Sequence, residues 1–196
     1  MLQLLEKIVI IAVVLALIFV IAVLLAAWWW GVFAPVQVLS IEREPCFMVT
    51  VLEPDSPEHL PAQIEAVRLY LVKKGRQPLL PLGAFYHDPL SADEVIRAAE
   101  ASGGWLVKDS VAVDSAYILL RTGRQLVATA AVKINPIIAR YKLYPVLKSW
   151  LEGQGYQPAR DQLVLEIYHT PDSMEVQIPI TKMDYNSLNP TYKLIK

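Results

Sequence analysis

Leu163 to Ile180 reads LVLEIYHTPDSMEVQIPI. Two runs of alternating apolar residues flank the breaker cluster Thr170-Pro171-Asp172-Ser173, which predicts two strands joined by a turn. Side chains alternate along a strand, so Met174, Val176, Ile178 and Ile180 share one face of the second strand. In the first strand Leu165 and Ile167 share one face, and Val164, Glu166 and Tyr168 the other. The segment Ile167–Pro171 (IYHTP) has a near copy upstream in Phe85–Pro89 (FYHDP). Each copy ends a strand that follows an amphipathic helix. The order strand–helix–strand–strand is therefore expected twice, as a pseudo-twofold α+β domain. Both helices would cover one face of the sheet, leaving the other to line a groove.

Working outward, Ser56-Pro57-Glu58 reads as a helix start, with Ser as cap and Pro in the first turn. Leu60, Ile64, Val67 and Leu71 form its apolar stripe, and Lys73-Lys74-Gly75 ends it. A second long helix is expected from Pro136 to Glu152, burying Ile137, Tyr141, Tyr144, Leu147 and Leu151, with Pro145 kinking or restarting it. The remaining strands are Cys46–Leu52, Leu82–His87 and Trp105–Val107. The last of these follows a short helix capped by Ser91 and ended by Gly103-Gly104. Tyr117–Leu120 and Leu126–Val132 read as a hairpin around Thr122-Gly123.

At the other end of the chain no formal charge occurs between Lys7 and Glu42. The apolar run from Ile8 to Trp28 is long enough to cross a bilayer, since about 20 helical residues span the ~30 Å hydrocarbon core. Trp28-Trp29-Trp30 would sit at the interface, where an amphipathic ring is favoured. A cleaved signal peptide is the competing reading, but its apolar core is typically only about 7–15 residues and ends at small residues. The expected organisation is an anchor over 1–35, a juxtamembrane linker or edge segment over 36–45, the domain over 46–182 and a tail over 183–196. The expected orientation places the domain outside the cytoplasm.

The net charge of −1 and the lack of a basic cluster argue against nucleic acid as a partner. Cys46 is the only cysteine, so no intrachain disulfide can form. Three scattered histidines and one cysteine offer no metal-ligand spacing, and no P-loop, HExxH or GxSxG occurs. No metal or cofactor is expected.

Tyr144–Ile180 resembles the GyrI-like small-molecule-binding domains. The shared pattern is Trp150-Leu151 ending a helix, the Gly155-Tyr156 turn, the Glu166-Ile167-Tyr168 strand and the closing Ile178-Pro179-Ile180 triplet. Tyr86-His87-Asp88-Pro89 matches the family's first-half turn. With its apolar N-terminus, Tyr144-Pro145 and Leu165-Glu166-Ile167-Tyr168, the chain is most similar to the membrane-anchored branch, which includes an animal endoplasmic-reticulum autophagy receptor. Tyr192-Lys193-Leu194-Ile195 has an aromatic-x-x-aliphatic spacing but basic neighbours where the receptor's interaction motif has acidic ones, so the autophagy role is not expected. No DNA-binding module is visible either.

The resemblance implies an SHS2-type fold and a pocket glutamate, here Glu166, that binds a small apolar or cationic ligand. Tyr86, Tyr168, Trp105 and Trp150 are the aromatic candidates for that pocket, suited to flat or cationic ligands. His87 and His169 would point away from it. Two alternatives stand beside the binding reading. One is a hydrolase of reactive cyclopropanoid compounds using Glu166 with Tyr86 or Tyr168. The other is an interaction module whose pocket has closed.

Overall fold

The computed structural model describes residues 2–29, 31–86, 101–159 and 163–183. The expected helix after Ser91, the turn His87-Asp88-Pro89, Trp30 and the tail from 184 onward lie outside the described residues.

Helix α1 (Leu2–Trp29) is apolar on every side, and its segment Val9–Trp28 has a mean hydropathy of 3.6 with none of it buried in the fold. It ends at Gly31, whose φ of 72° lies in the left-handed region where glycine carries no Cβ penalty. The Gly31 and Val32 amides close the last turn onto Trp28 and Ala27. The strands are β1 (Gln37–Arg43), β2 (Phe47–Val51), β3 (Pro81–Phe85), β4 (Ala101–Val107), β5 (Tyr117–Arg121), β6 (Gln125–Val132), β7 (Tyr156–Pro158), β8 (Val164–Thr170) and β9 (Ser173–Lys182). The domain's helices are α2 (Leu60–Lys73) and α3 (Pro136–Gln154). Among the described residues the elements after α1 follow in the order β1–β2–α2–β3–β4–β5–β6–α3–β7–β8–β9, with a short 3₁₀ turn (Pro57–His59) leading into α2.

All pairings are antiparallel, in the order β1-β6-β9-β8-β3-β4-β2-β5, with β7 added beside β9. The expected β5–β6 hairpin does not form, because β5 pairs with β2 and β6 lies between β1 and β9. The connection of Thr122, Gly123 and Arg124 instead joins opposite ends of the sheet order. The link from Arg43 to Phe47 does the same. Six strand spacings of about 4.8 Å would put flat β1 and β2 about 29 Å apart. Four residues of extended chain reach only about 14 Å. The sheet must therefore coil until two of its corners meet, as right-handed strand twist permits. Thr122 pins that corner: its amide donates to the Cys46 carbonyl at 3.0 Å, and its hydroxyl accepts from the Cys46 amide at 3.2 Å.

The inside of the coil is apolar: Met48, Leu82, Ala84, Leu165 and Ile167 are buried together. Arg43 is buried on the same side of the sheet, donating from Nη1 to Gln177 Oε1 at 2.9 Å. Its Nε and Nη2 have no partner among the described residues, and burial lowers its pKa. The outside of the coil carries the helices. α2 packs over β4 and β2, and α3 over β6 and β9, the latter burying Leu143, Tyr144, Leu147 and Leu151 against Val176, Ile178 and Ile180.

This geometry corrects several expectations. The face away from the helices is no free groove, since coiling closes it into core. Helix α3 continues through Pro145 rather than restarting there, the missing N–H falling on an exposed turn. Ile137 and Tyr141 are 72% and 63% exposed rather than buried, since the buried side of α3 runs through Ala139, Leu143, Tyr144, Leu147 and Leu151. Gly103-Gly104, expected to end a helix, lies inside β4 for reasons of close approach. A Cβ on Gly103 would stand 2.7 Å from Gln63 Cβ and 2.9 Å from the Ile64 amide. One on Gly104 would collide with the Val49 carbonyl. The segment expected as a linker or edge segment forms the edge strand β1, with Val38 packed on the core.

Candidate functional site: a buried carboxylate behind an arginine-lined cleft

The central antiparallel pair of the sheet is β8–β3, with Glu166 opposite Gly83. This pair runs beneath the gap between α2 and α3. The strand parity puts Val164, Glu166 and Tyr168 on the helix side, the reverse of the face expected from sequence. Glu166 is completely buried there. Gly83 makes the room: a Cβ at that position would lie 3.4 Å from the Tyr168 hydroxyl and 3.2 Å from Leu60 Cδ1.

An isolated buried carboxylate is costly, so its partners decide what it can do. Arg140, one turn before Tyr144 on α3, donates from Nε to both oxygens at 3.0 and 2.9 Å and from Nη2 to Oε2 at 2.7 Å. The Tyr144 hydroxyl donates to Oε1 at 2.9 Å and the Tyr168 hydroxyl to Oε2 at 2.8 Å. A carboxylate has about four lone-pair sites, so Glu166 is saturated. Arg140 Nη2 also reaches the Tyr168 oxygen at 3.1 Å, and the guanidinium lies 5.7 Å from the centre of the Phe85 ring.

The electrostatics follow. Burial pushes the Tyr144 phenol well up, and the Glu166 charge adds to that. Tyr168 is raised by the same two causes in the same order. Burial alone would lower the Arg140 pKa, but the charge of Glu166 and the Tyr168 dipole outweigh it, so the guanidinium is held charged more firmly than usual. Both phenols are fixed as donors and Arg140 as a cation.

Above this cluster a cleft of about 830 Å³ opens between the N-terminal turns of α2 and α3. Leu60, Ile64, Leu80, Trp105 and Ile137 supply apolar walls, and Arg140 and Tyr168 form part of its floor. Trp105 is held by a hydrogen bond from its ring nitrogen to the Ile64 carbonyl at 2.8 Å.

The sequence candidates separate accordingly. Trp105 and Tyr168 line the cleft, and Glu166 lies behind it. Tyr86 follows the end of β3, half-buried and not among the lining residues; Phe85 is the neighbour that packs against Arg140. Trp150 stacks on Tyr156 at 5.9 Å, on the part of α3 remote from the cleft. His169, expected to point away, is among the residues lining the cleft, with its ring nitrogen 2.8 Å from Glu175. Sequence reading misses Arg140, Gly83 and Phe85. The signal for Arg140 was an Arg140–Tyr144 pair at i,i+4 on an otherwise apolar face. No group of metal-ligating side chains occurs among the described residues.

No family model and no curated protein matches the chain. Solved structures do. The C-terminal domain of EcmrR has a TM-score of 0.60 at 17% identity, covering 76% of this chain and 99% of that one. A hydrolase from Listeria innocua has a TM-score of 0.52 at 14% identity, covering 74% and 92%. SAV2435 bound to tetraphenylphosphonium has a TM-score of 0.51 at 13% identity, covering 74% and 94%. None of these is described as membrane-anchored. At such identities the likeness is one of fold alone, a mixed α/β domain, which in this chain follows one apolar N-terminal helix.

Proposed function

We propose that this protein is a membrane-tethered domain that binds a small, partly apolar ligand in the cleft between α2 and α3. The observation that carries the reading is the cleft itself, about 830 Å³ with aliphatic and Trp105 walls over one polar cluster. That is the usual size and make-up of a small-molecule site. The fold shared with SAV2435, a protein solved with an apolar cation, supports it. A closed-pocket interaction module would leave no such space.

Tethering rests on α1 and on how it meets the domain. Lys142 of α3 donates to the Val32 carbonyl at 2.6 Å, and Ala34 and Val36 pack on the core. The domain would thus sit directly at the end of the anchor. Lys7, two residues before the apolar span, set against Arg43, fifteen residues beyond it, favours a domain on the side away from the cytoplasm. The duplicated strand–helix–strand–strand order fits a domain with its site at the junction of two halves.

The hydrolase reading draws on the Listeria innocua fold neighbour and the 2.8 Å Glu166–Tyr168 contact. It needs a carboxylate free to take a proton from water or substrate. Glu166 is buried and saturated, so binding is the better reading.

The test uses the full chain in phosphatidylcholine nanodiscs. Native mass spectrometry of protein purified from its own membranes should reveal a small-molecule adduct that Ile64→Trp, which fills the cleft, abolishes. An adduct-free protein whose melting temperature is insensitive to a panel of small apolar compounds would contradict the reading.

A further inference from the structure

A pocket glutamate suggests a cationic ligand, but here every acceptor position on Glu166 is taken by Arg140, Tyr144 and Tyr168. The charged group that reaches the cleft is Arg140, whose side chain is 21% exposed. Its bonds to Glu166 and Tyr168 leave from Nε and Nη2, so Nη1, with two N–H donors, is uncommitted among the described residues. The other charged lining residue, Glu58, is exposed at the rim, where water screens it. The starts of α2 and α3, Leu60-Pro61 and Pro136-Ile137, also face the cleft, and both helix dipoles add positive potential there.

We propose that the cleft takes an apolar ligand carrying an anionic head, with the head on Arg140 Nη1 and the body between Ile64, Leu80 and Trp105. A carboxylate, sulfonate or phosphate monoester would each satisfy the free edge of the guanidinium. A cation would meet Arg140, with the solvent-screened Glu58 at the rim as the carboxylate left to offset the repulsion. Glu166 then serves as a positioning residue: it holds the guanidinium edge-on to the cleft and keeps it charged. This rests on the cleft being the ligand site and specifies the sign of what it holds.

The experiment compares three probes that share one apolar body: 2-naphthylacetate, 2-naphthylmethanol and 2-naphthylmethylammonium. Each is titrated calorimetrically into the full chain in phosphatidylcholine nanodiscs, with empty nanodiscs subtracted. The anion should bind about tenfold or more tighter than the alcohol, and the ammonium weakest. Arg140→Gln should reverse the order by baring Glu166. If that variant does not fold, the charge-neutral pair Arg140→Gln with Glu166→Gln should bind all three alike. Equal or tighter binding of the ammonium by the unmodified chain would overturn the anion assignment. So would anion preference that survives the double variant. If Ile64→Trp still removes that binding, the cleft stands as the ligand site. Binding of none of the three probes would overturn both readings.

Discussion

Replacing Glu166 with glutamine should cost the fold far more than a surface change would. The substitution leaves the Arg140 guanidinium without its counter-charge and turns an acceptor oxygen into an N–H₂ facing donors. Breaking a buried ion pair from one side typically costs about 3–5 kcal/mol. Arg140 is 21% exposed and can relax toward the cleft, which lowers the loss from the pair to about 2 kcal/mol. The Tyr144 and Tyr168 hydroxyls exchange a charged acceptor for a neutral amide, a further loss of about 1 kcal/mol between them. The sum of about 3 kcal/mol corresponds to a fall in melting temperature of about 6–12 °C for a domain of this size. The assay is near-ultraviolet circular dichroism of the full chain in detergent, read as the cooperative loss of signal from the packed aromatics of the domain over the contribution of the anchor's tryptophans. A fall of less than about 2 °C would refute the idea that Glu166 is a saturated structural acceptor and return it to the ligand-facing role that its sequence setting suggests.

Other outcomes follow from the same geometry. Gly103→Ala should destabilise by about 1–3 kcal/mol, because the new methyl meets Gln63 Cβ and the Ile64 backbone of α2, and thermal unfolding measures it. The raised phenol pKa values of Tyr144 and Tyr168 mean that the stability they contribute is complete below about pH 10, their unfolded value, and is lost as pH rises through the folded ones. An absorbance titration at the tyrosinate band should therefore show these two ionising only with unfolding, and Tyr144→Phe should remove one of them from that final step. Trp150→Ala should leave binding of 2-naphthylacetate unchanged, whereas Trp105→Ala should weaken it several-fold, as read by calorimetry. Alkaline carbonate washing should leave the full chain in the membrane pellet with its N-terminus intact; a mature N-terminus near Ala26 or Ala34 would instead mark a signal peptide.

Much of the domain is legible in local sequence pattern. The β8–β9 pair follows from alternation around Thr170–Ser173, and α2 from its apolar stripe, although Ser56 caps the 3₁₀ turn Pro57–His59 that precedes α2 rather than α2 itself. What escapes is non-local. Tyr117–Leu120 and Leu126–Val132 have hairpin composition, but each strand gains more by pairing with β2 or with β1 and β9, and coiling of the whole sheet supplies the short link. Gly103-Gly104 carries the mark of a helix stop and is in fact required by the approach of α2 on one side and β2 on the other.

The site divides in the same way. A lone Glu166 inside an apolar alternating strand announces a special position. Its meaning depends on Arg140, 26 residues away on another element, and no spacing rule links the two. The choice of sheet face decides the role: expected away from the helices, Glu166 meets α3 instead. That contact commits the acceptor positions of the carboxylate to Arg140, Tyr144 and Tyr168.

The most direct test of the cleft is methyl NMR of the full chain in nanodiscs, with isoleucine and leucine labelled, during titration with 2-naphthylacetate. Shifts should appear at Ile64, Leu80 and Ile137, which line the cleft, and spare Leu147 and Ile178 beneath α3 and Leu39 and Ile41 on the edge strand. Binding that shifts the edge-strand methyls while leaving Ile64, Leu80 and Ile137 unmoved would contradict it.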